Sequence, residues 1–104
     1  MSTTPEGKIK KKINALLDSY GAALYRDMPV PSGYGKPTLD YVCCYRGMYF
    51  AIEAKRPTKE PTTRQDGTIE DMRAAGARVF VVNDDDSLDA LAVWLEAAQD
   101  GEYP

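Results

Sequence analysis

A chain of 104 residues, 43% apolar and 28% charged, can fill one modest hydrophobic core and has the composition of a globular domain rather than a disordered segment. No stretch of 18 or more apolar residues occurs, and the N-terminus lacks the apolar core of a secretory signal, so neither a membrane span nor a leader is expected. With no histidine and only the adjacent Cys43 and Cys44, a structural zinc site is excluded; both thiols read as buried and free in a reducing cytoplasm.

Thr4 is placed to cap a helix over about 5–20, with Pro5 in its first position and Gly21 at its end. Ile9, Ile13, Leu16, Leu17 and Tyr20 recur there at helical spacing, and lysines occupy the other faces. A first strand is expected over 22–30, followed by the turn-forming loop PSGYGKP at 31–37. Two strands, 39–45 and 48–55, meet at Arg46-Gly47, and Pro57 stops the second. A helix over 63–75 closes at Gly76; Gly67 inside it costs about 1 kcal/mol relative to Ala. The nearly continuous apolar run at 77–82 reads as a buried strand. Asp86 or Ser87 then caps a last, acidic helix over about 87–99, with Leu88, Leu91, Ala92 and Leu95 toward the core. The order α-β-β-β-α-β-α predicts an α/β fold, a mixed sheet flanked by helices, as a single domain over 1–104.

The charges are unevenly distributed. Residues 1–64 hold 11 Lys and Arg against 6 Asp and Glu, whereas residues 65–104 hold 2 against 10, within a net of −3. The basic half can present a positive face to phosphates, although a lysine run alone more often marks a solvated helix end.

The hairpin carries the sharper signal. A two-residue loop at Arg46-Gly47 makes residues whose numbers sum to 93 face each other, which sets Asp40 opposite Glu53 with Cβ atoms about 5 Å apart. Alternation puts Asp40, Val42, Cys44, Tyr49, Ala51, Glu53 and Lys55 on one face. The other face, Tyr41, Cys43, Tyr45, Met48, Phe50, Ile52 and Ala54, has no charge. Two carboxylates so close repel unless a cation lies between them, and a hard divalent ion such as Mg²⁺ takes oxygen ligands of this kind. Lys55 projects on the same side, and Ala54 offers its backbone carbonyl. Strand-end charges in ordinary surface pairs would be the plainer explanation of Glu-x-Lys by itself.

GYGKPTLDY, twelve residues between Asp40 and Glu53, then IEAKRP together resemble the PD-(D/E)XK nuclease signature, and most closely its VRR-NUC branch, whose small stand-alone members are common in phages. Glu6 in the first helix, Gln65 in the helix after the third strand, and GARVFVV at 76–82 match that branch as well. Leu39 departs from it by standing where the branch usually has proline. The resemblance implies a restriction-endonuclease-like αβββαβ core followed by a C-terminal helix. It implies a Mg²⁺- or Mn²⁺-dependent endonuclease acting on DNA, with branched substrates such as the four-way Holliday junction cut by a homodimer. Asp40, Glu53, Lys55 and Gln65 would be catalytic; Asp40, Glu53, the Ala54 carbonyl and Glu6 would hold the metal. Lys8, Lys10, Lys11, Lys12, Tyr34, Lys36, Arg56, Lys59 and Arg64 are candidate DNA contacts, in the cytoplasm of a bacterial or phage-infected host cell. The alternative is a catalytically inactive nuclease-fold module that binds DNA or protein.

Overall fold

The computed structural model describes residues 4–30, 38–57 and 63–101. Helix α1 (Pro5–Asp18) starts where proline lacks the N–H that a first turn leaves unpaired, and Thr4 Oγ1 accepts from the Gly7 N–H at 3.0 Å. Its buried stripe is Ile9, Ile13 and Leu17, one residue per turn. It stops two residues short of the expected end, at a Ser19 cap whose hydroxyl donates to the Leu16 carbonyl at 2.6 Å. Gly21, at φ 60°, then opens a 3-10 turn, Gly21–Ala23. Strand β1 (Leu24–Asp27) is consequently shorter than the expected 22–30: the turn consumes its start, and Pro29 follows soon after its end with no N–H to pair.

Strands β2 (Tyr41–Tyr45) and β3 (Met48–Ala54) join through Arg46-Gly47, where both residues have positive φ (51° and 81°), as the type I′ turn requires. The register is the expected one, from Tyr45 opposite Met48 to Tyr41 opposite Ile52. Helix α2 (Thr63–Ala74) closes as Gly76 turns to φ 99°, letting the Ala77 N–H return to the Met72 carbonyl at 3.0 Å. Strand β4 (Arg78–Val82) leads to helix α3 (Asp85–Gln99). The cap of α3 is Asp84, not Asp86 or Ser87: its carboxylate accepts from the Ser87 N–H at 2.8 Å while the Ser87 hydroxyl accepts from the Asp84 N–H at 3.1 Å.

The sheet order is β1-β2-β3-β4, with β3 antiparallel to β2 and parallel to β4. Helices α1 and α3 cover one face. There the uncharged side of the hairpin packs with Ile13, Leu17, Leu91 and Leu95, and Trp94 rests on Phe50 and Phe80 at centroid distances of 5.1 and 5.5 Å. Among the described residues, helix α2 covers only the β3–β4 half of the other face, packing Ile69 against Leu39, Ala51 and Val79. The uncovered half shows why one thiol departs from expectation: Cys43 is buried, but Cys44 is exposed, in a row with exposed Tyr25 and Tyr49. No helix among the described residues is long and apolar enough to cross a membrane.

Candidate active site

The charged end of the hairpin lies where β2 begins and β3 ends. Successive N–H groups on β3 point alternately to its two neighbours. That of Lys55 continues toward β4, donating to the Val82 carbonyl at 2.9 Å. That of Ala54 faces β2, which has already bent away at Asp40, and it is met instead by Asp40 Oδ2 at 2.8 Å. Reciprocally, Glu53 Oε1 accepts from the Asp40 N–H at 3.1 Å. Each carboxylate thus secures the other residue's strand. The bend also sends Leu39 into the apolar cluster under α2, on the face opposite its strand neighbour Tyr41.

Glu53 is 2% exposed. Burial pushes its carboxyl above the usual range and the Asp40 charge adds to this, while Lys55 opposes both. Lys55 Nζ stands 3.3 Å from Glu53 Oε2, and Gln65 Nε2 donates to the same oxygen at 2.6 Å. Gln65 therefore meets Glu53, at the oxygen that Lys55 also approaches. The chain leaves β3 at this end of the sheet and enters α2, so the first turn of that helix comes back to the carboxylate.

Helix α1 supplies the rest. Lys10 Nζ lies 3.6 Å from Asp40 Oδ1 and 3.7 Å from Glu6 Oε2, so Glu6 reaches Asp40 only through an intervening ammonium group. The helix is fixed over the start of β2 by the buried Tyr41 hydroxyl, which donates to Asn14 Oδ1 at 3.0 Å with the Lys10 carbonyl at 3.4 Å. Burial, aided by the Asp40 charge, pushes Tyr41 up to about 12. Neither the Lys10 bridge nor the Tyr41–Asn14 bond is expected from the sequence. The four-residue spacing of Glu6 and Lys10 signals their pairing, but only the packing of α1 brings Asp40 into it.

The remaining candidates are more dispersed. Lys8 and Lys11 are exposed on α1, and Arg56 is exposed just beyond β3. Lys12 pairs with Asp85 at 2.8 Å, linking α1 to the start of α3. The backbone of Arg64 belongs to the first turn of α2. Tyr34, Lys36 and Lys59 lie outside the described residues. A cavity lined by Arg73, Arg78 and Phe80 sits at the start of β4, the end of that strand remote from Glu53. Among the described residues no three His, Cys, Asp or Glu side chains converge as a metal cluster. The donor set at the hairpin is two oxygen-only side chains beside a backbone carbonyl, already attended by two ammonium groups. Such oxygens suit a hard divalent cation that keeps several of its waters.

No family model matches the sequence, and no curated protein does. The folded chain, however, matches a solved structure described as a VRR_NUC domain with a TM-score of 0.69 and 27% identity, covering 85% of this chain and 94% of that one. The αβββαβ order and this likeness together support a nuclease fold of the VRR-NUC type for this chain, in keeping with the spacing of Asp40, Glu53 and Lys55.

Proposed function

We propose that the protein is a Mg²⁺- or Mn²⁺-dependent endonuclease that hydrolyses DNA phosphodiester bonds, selective for branched DNA such as four-way junctions. The observation that carries this reading is the buried Glu53 carboxylate, held against Asp40 across the hairpin with the Lys55 ammonium 3.3 Å away. Asp40, Glu53 and the Ala54 carbonyl would hold the ion, with Glu6 available from α1. When bound, that ion lowers the pKa of a water ligand and stabilises charge on the scissile phosphate.

The chain's own groups do the positioning. Gln65 fixes the orientation of Glu53 through its 2.6 Å bond, so the carboxylate needs little reorganisation. Lys55 orients the attacking water or stabilises the extra negative charge of the transition state. Lys8, Lys11, Lys12 and Arg56 supply phosphate contacts that read no sequence, so binding weakens steeply with salt. No base-reading motif is recognisable among the described residues, which favours recognition of DNA shape over a short sequence. Cutting both strands of a junction symmetrically calls for two such sites, hence a homodimer.

The test is incubation with labelled junction and duplex DNA in Mg²⁺, Mn²⁺ or EDTA. Metal-dependent cleavage that is lost in Glu53→Ala and Lys55→Ala is the expected result. Binding without cleavage in either metal would overturn the enzymatic reading in favour of a DNA-binding module on the same fold.

A further inference from the structure

We infer that Lys10 is the resident counter-cation of the carboxylate site, competing with the divalent ion for Asp40 and Glu6 and withdrawing when that ion binds. The inference rests on the metal-dependent reading above and adds to it a residue that governs metal affinity. Three carboxylates, Glu6, Asp40 and Glu53, face two ammonium groups, Lys10 and Lys55. The two ammonium groups are placed differently. Lys55 follows β3 and lies against the buried Glu53, with 17% of its side chain exposed. Lys10 reaches over from α1, is one-third exposed, and stands almost equidistant from Asp40 Oδ1 and Glu6 Oε2 at 3.6 and 3.7 Å.

Those distances are long for salt bridges, so neither contact holds the ammonium tightly, and its flexible four-carbon stem can swing toward solvent. A divalent cation drawing on Asp40 and Glu6 would need the space between them that the ammonium now occupies. The charge balance agrees: three carboxylates with Lys55 and a divalent ion are neutral, whereas retaining Lys10 adds an uncompensated positive charge beside the metal. Lys10 thus keeps the carboxylates supplied with a counter-charge in the metal-free protein and sets the metal concentration at which they exchange it.

The test is calorimetric titration of the metal-free full-length chain with Mn²⁺, without DNA, for wild type, Lys10→Met, Lys10→Gln, Lys10→Arg and Lys8→Met, each shown to be folded by thermal melting. Forfeiting two partly exposed ion pairs sets the expected gain at about fivefold tighter Kd in Lys10→Met and Lys10→Gln. Lys10→Arg, which retains the charge, and Lys8→Met, which removes a neighbouring exposed one, stay within about twofold of wild type. Unchanged or weaker binding in both neutral Lys10 variants overturns the inference alone, as does equal tightening in Lys8→Met. A wild type that binds no Mn²⁺ overturns both this inference and the metal-dependent reading.

Discussion

The reciprocal bonding of Asp40 and Glu53 gives one residue two separable duties, and a pair of substitutions at Asp40 divides them. Asp40→Ala removes the acceptor for the Ala54 N–H, a 2.8 Å bond at a residue only 1% exposed. An N–H left unpaired there costs about 1–3 kcal/mol. The lost contact to Lys10 adds little, since that pair is 3.6 Å apart and partly solvated. For a domain of about 100 residues this lowers Tm by roughly 5–20 °C. Asp40→Asn keeps an oxygen where Oδ2 accepts and removes one of the two like charges, so its Tm in EDTA stays within about 3 °C of wild type. On the proposed metal-dependent reading, both variants should lose Mn²⁺ binding and cleavage. Thermal melts in EDTA at neutral pH, paired with Mn²⁺ titrations, read the two duties separately. Destabilisation by Asn equal to that by Ala would refute the hydrogen-bonding role, because the carboxylate's charge would then be what holds the strand ends together.

Other parts of the fold are open to equally direct tests. With Cys44 exposed and Cys43 buried, a chromogenic disulfide reagent should titrate one thiol quickly in the native protein and the second only after denaturation; two fast thiols would contradict the sheet faces. Burial pushes Cys43 from 9.0 up to about 12, and Tyr41 from 10.0 to about 12. The unfolded chain releases these protons first, so stability holds below pH 9 and falls as pH rises from 9 toward 12. Urea midpoints measured across that range should show the decline, with its lower part missing in Cys43→Val. Arg46 sits at φ 51°, a region that asparagine enters more easily, so Arg46→Asn should stabilise by about 0.5–1 kcal/mol in urea denaturation without altering metal binding. Ile13 is fully buried beneath the hairpin, and Ile13→Ala should cost about 2–5 kcal/mol by the same measurement.

What could be read in advance follows from how local each cause is. The hairpin register was legible because Arg46-Gly47 admits a two-residue loop and the strands alternate cleanly, and together these leave one solution. The α3 cap was not, because Asp84, Asp85, Asp86 and Ser87 are all capping types; backbone geometry selects Asp84, extended at φ −157°. The exposure of Cys44 depends on how far α2 spreads over the sheet, which no strand pattern encodes. Within the site, the approach of Asp40 to Glu53 was a matter of register. The lysine between Glu6 and Asp40 was not, since it requires α1 to lie over the start of β2, and the Tyr41 hydroxyl that fixes it there comes from a residue whose pattern announces only an apolar face.

The topology also explains why a repelling pair of carboxylates persists at this end of the sheet. A parallel β3–β4 pair requires a crossover, and the crossover helix starts near where β3 finishes, so the first turn of α2 returns to Glu53 through Gln65. The first turn of α1 carries Glu6 toward the same point by way of Lys10. A helix N-terminus bears partial positive charge, so two of them, with two ammonium groups, surround three carboxylates. The positive surroundings offset the repulsion in the metal-free chain, and they also suit an incoming phosphate. A divalent ion that displaces Lys10 would change the site from net negative to neutral just where the substrate brings its own negative charge. On the metal-dependent reading proposed above, the position of Lys10 would tie metal occupancy to the admission of DNA, and the same ammonium, once displaced, would be free to meet a phosphate.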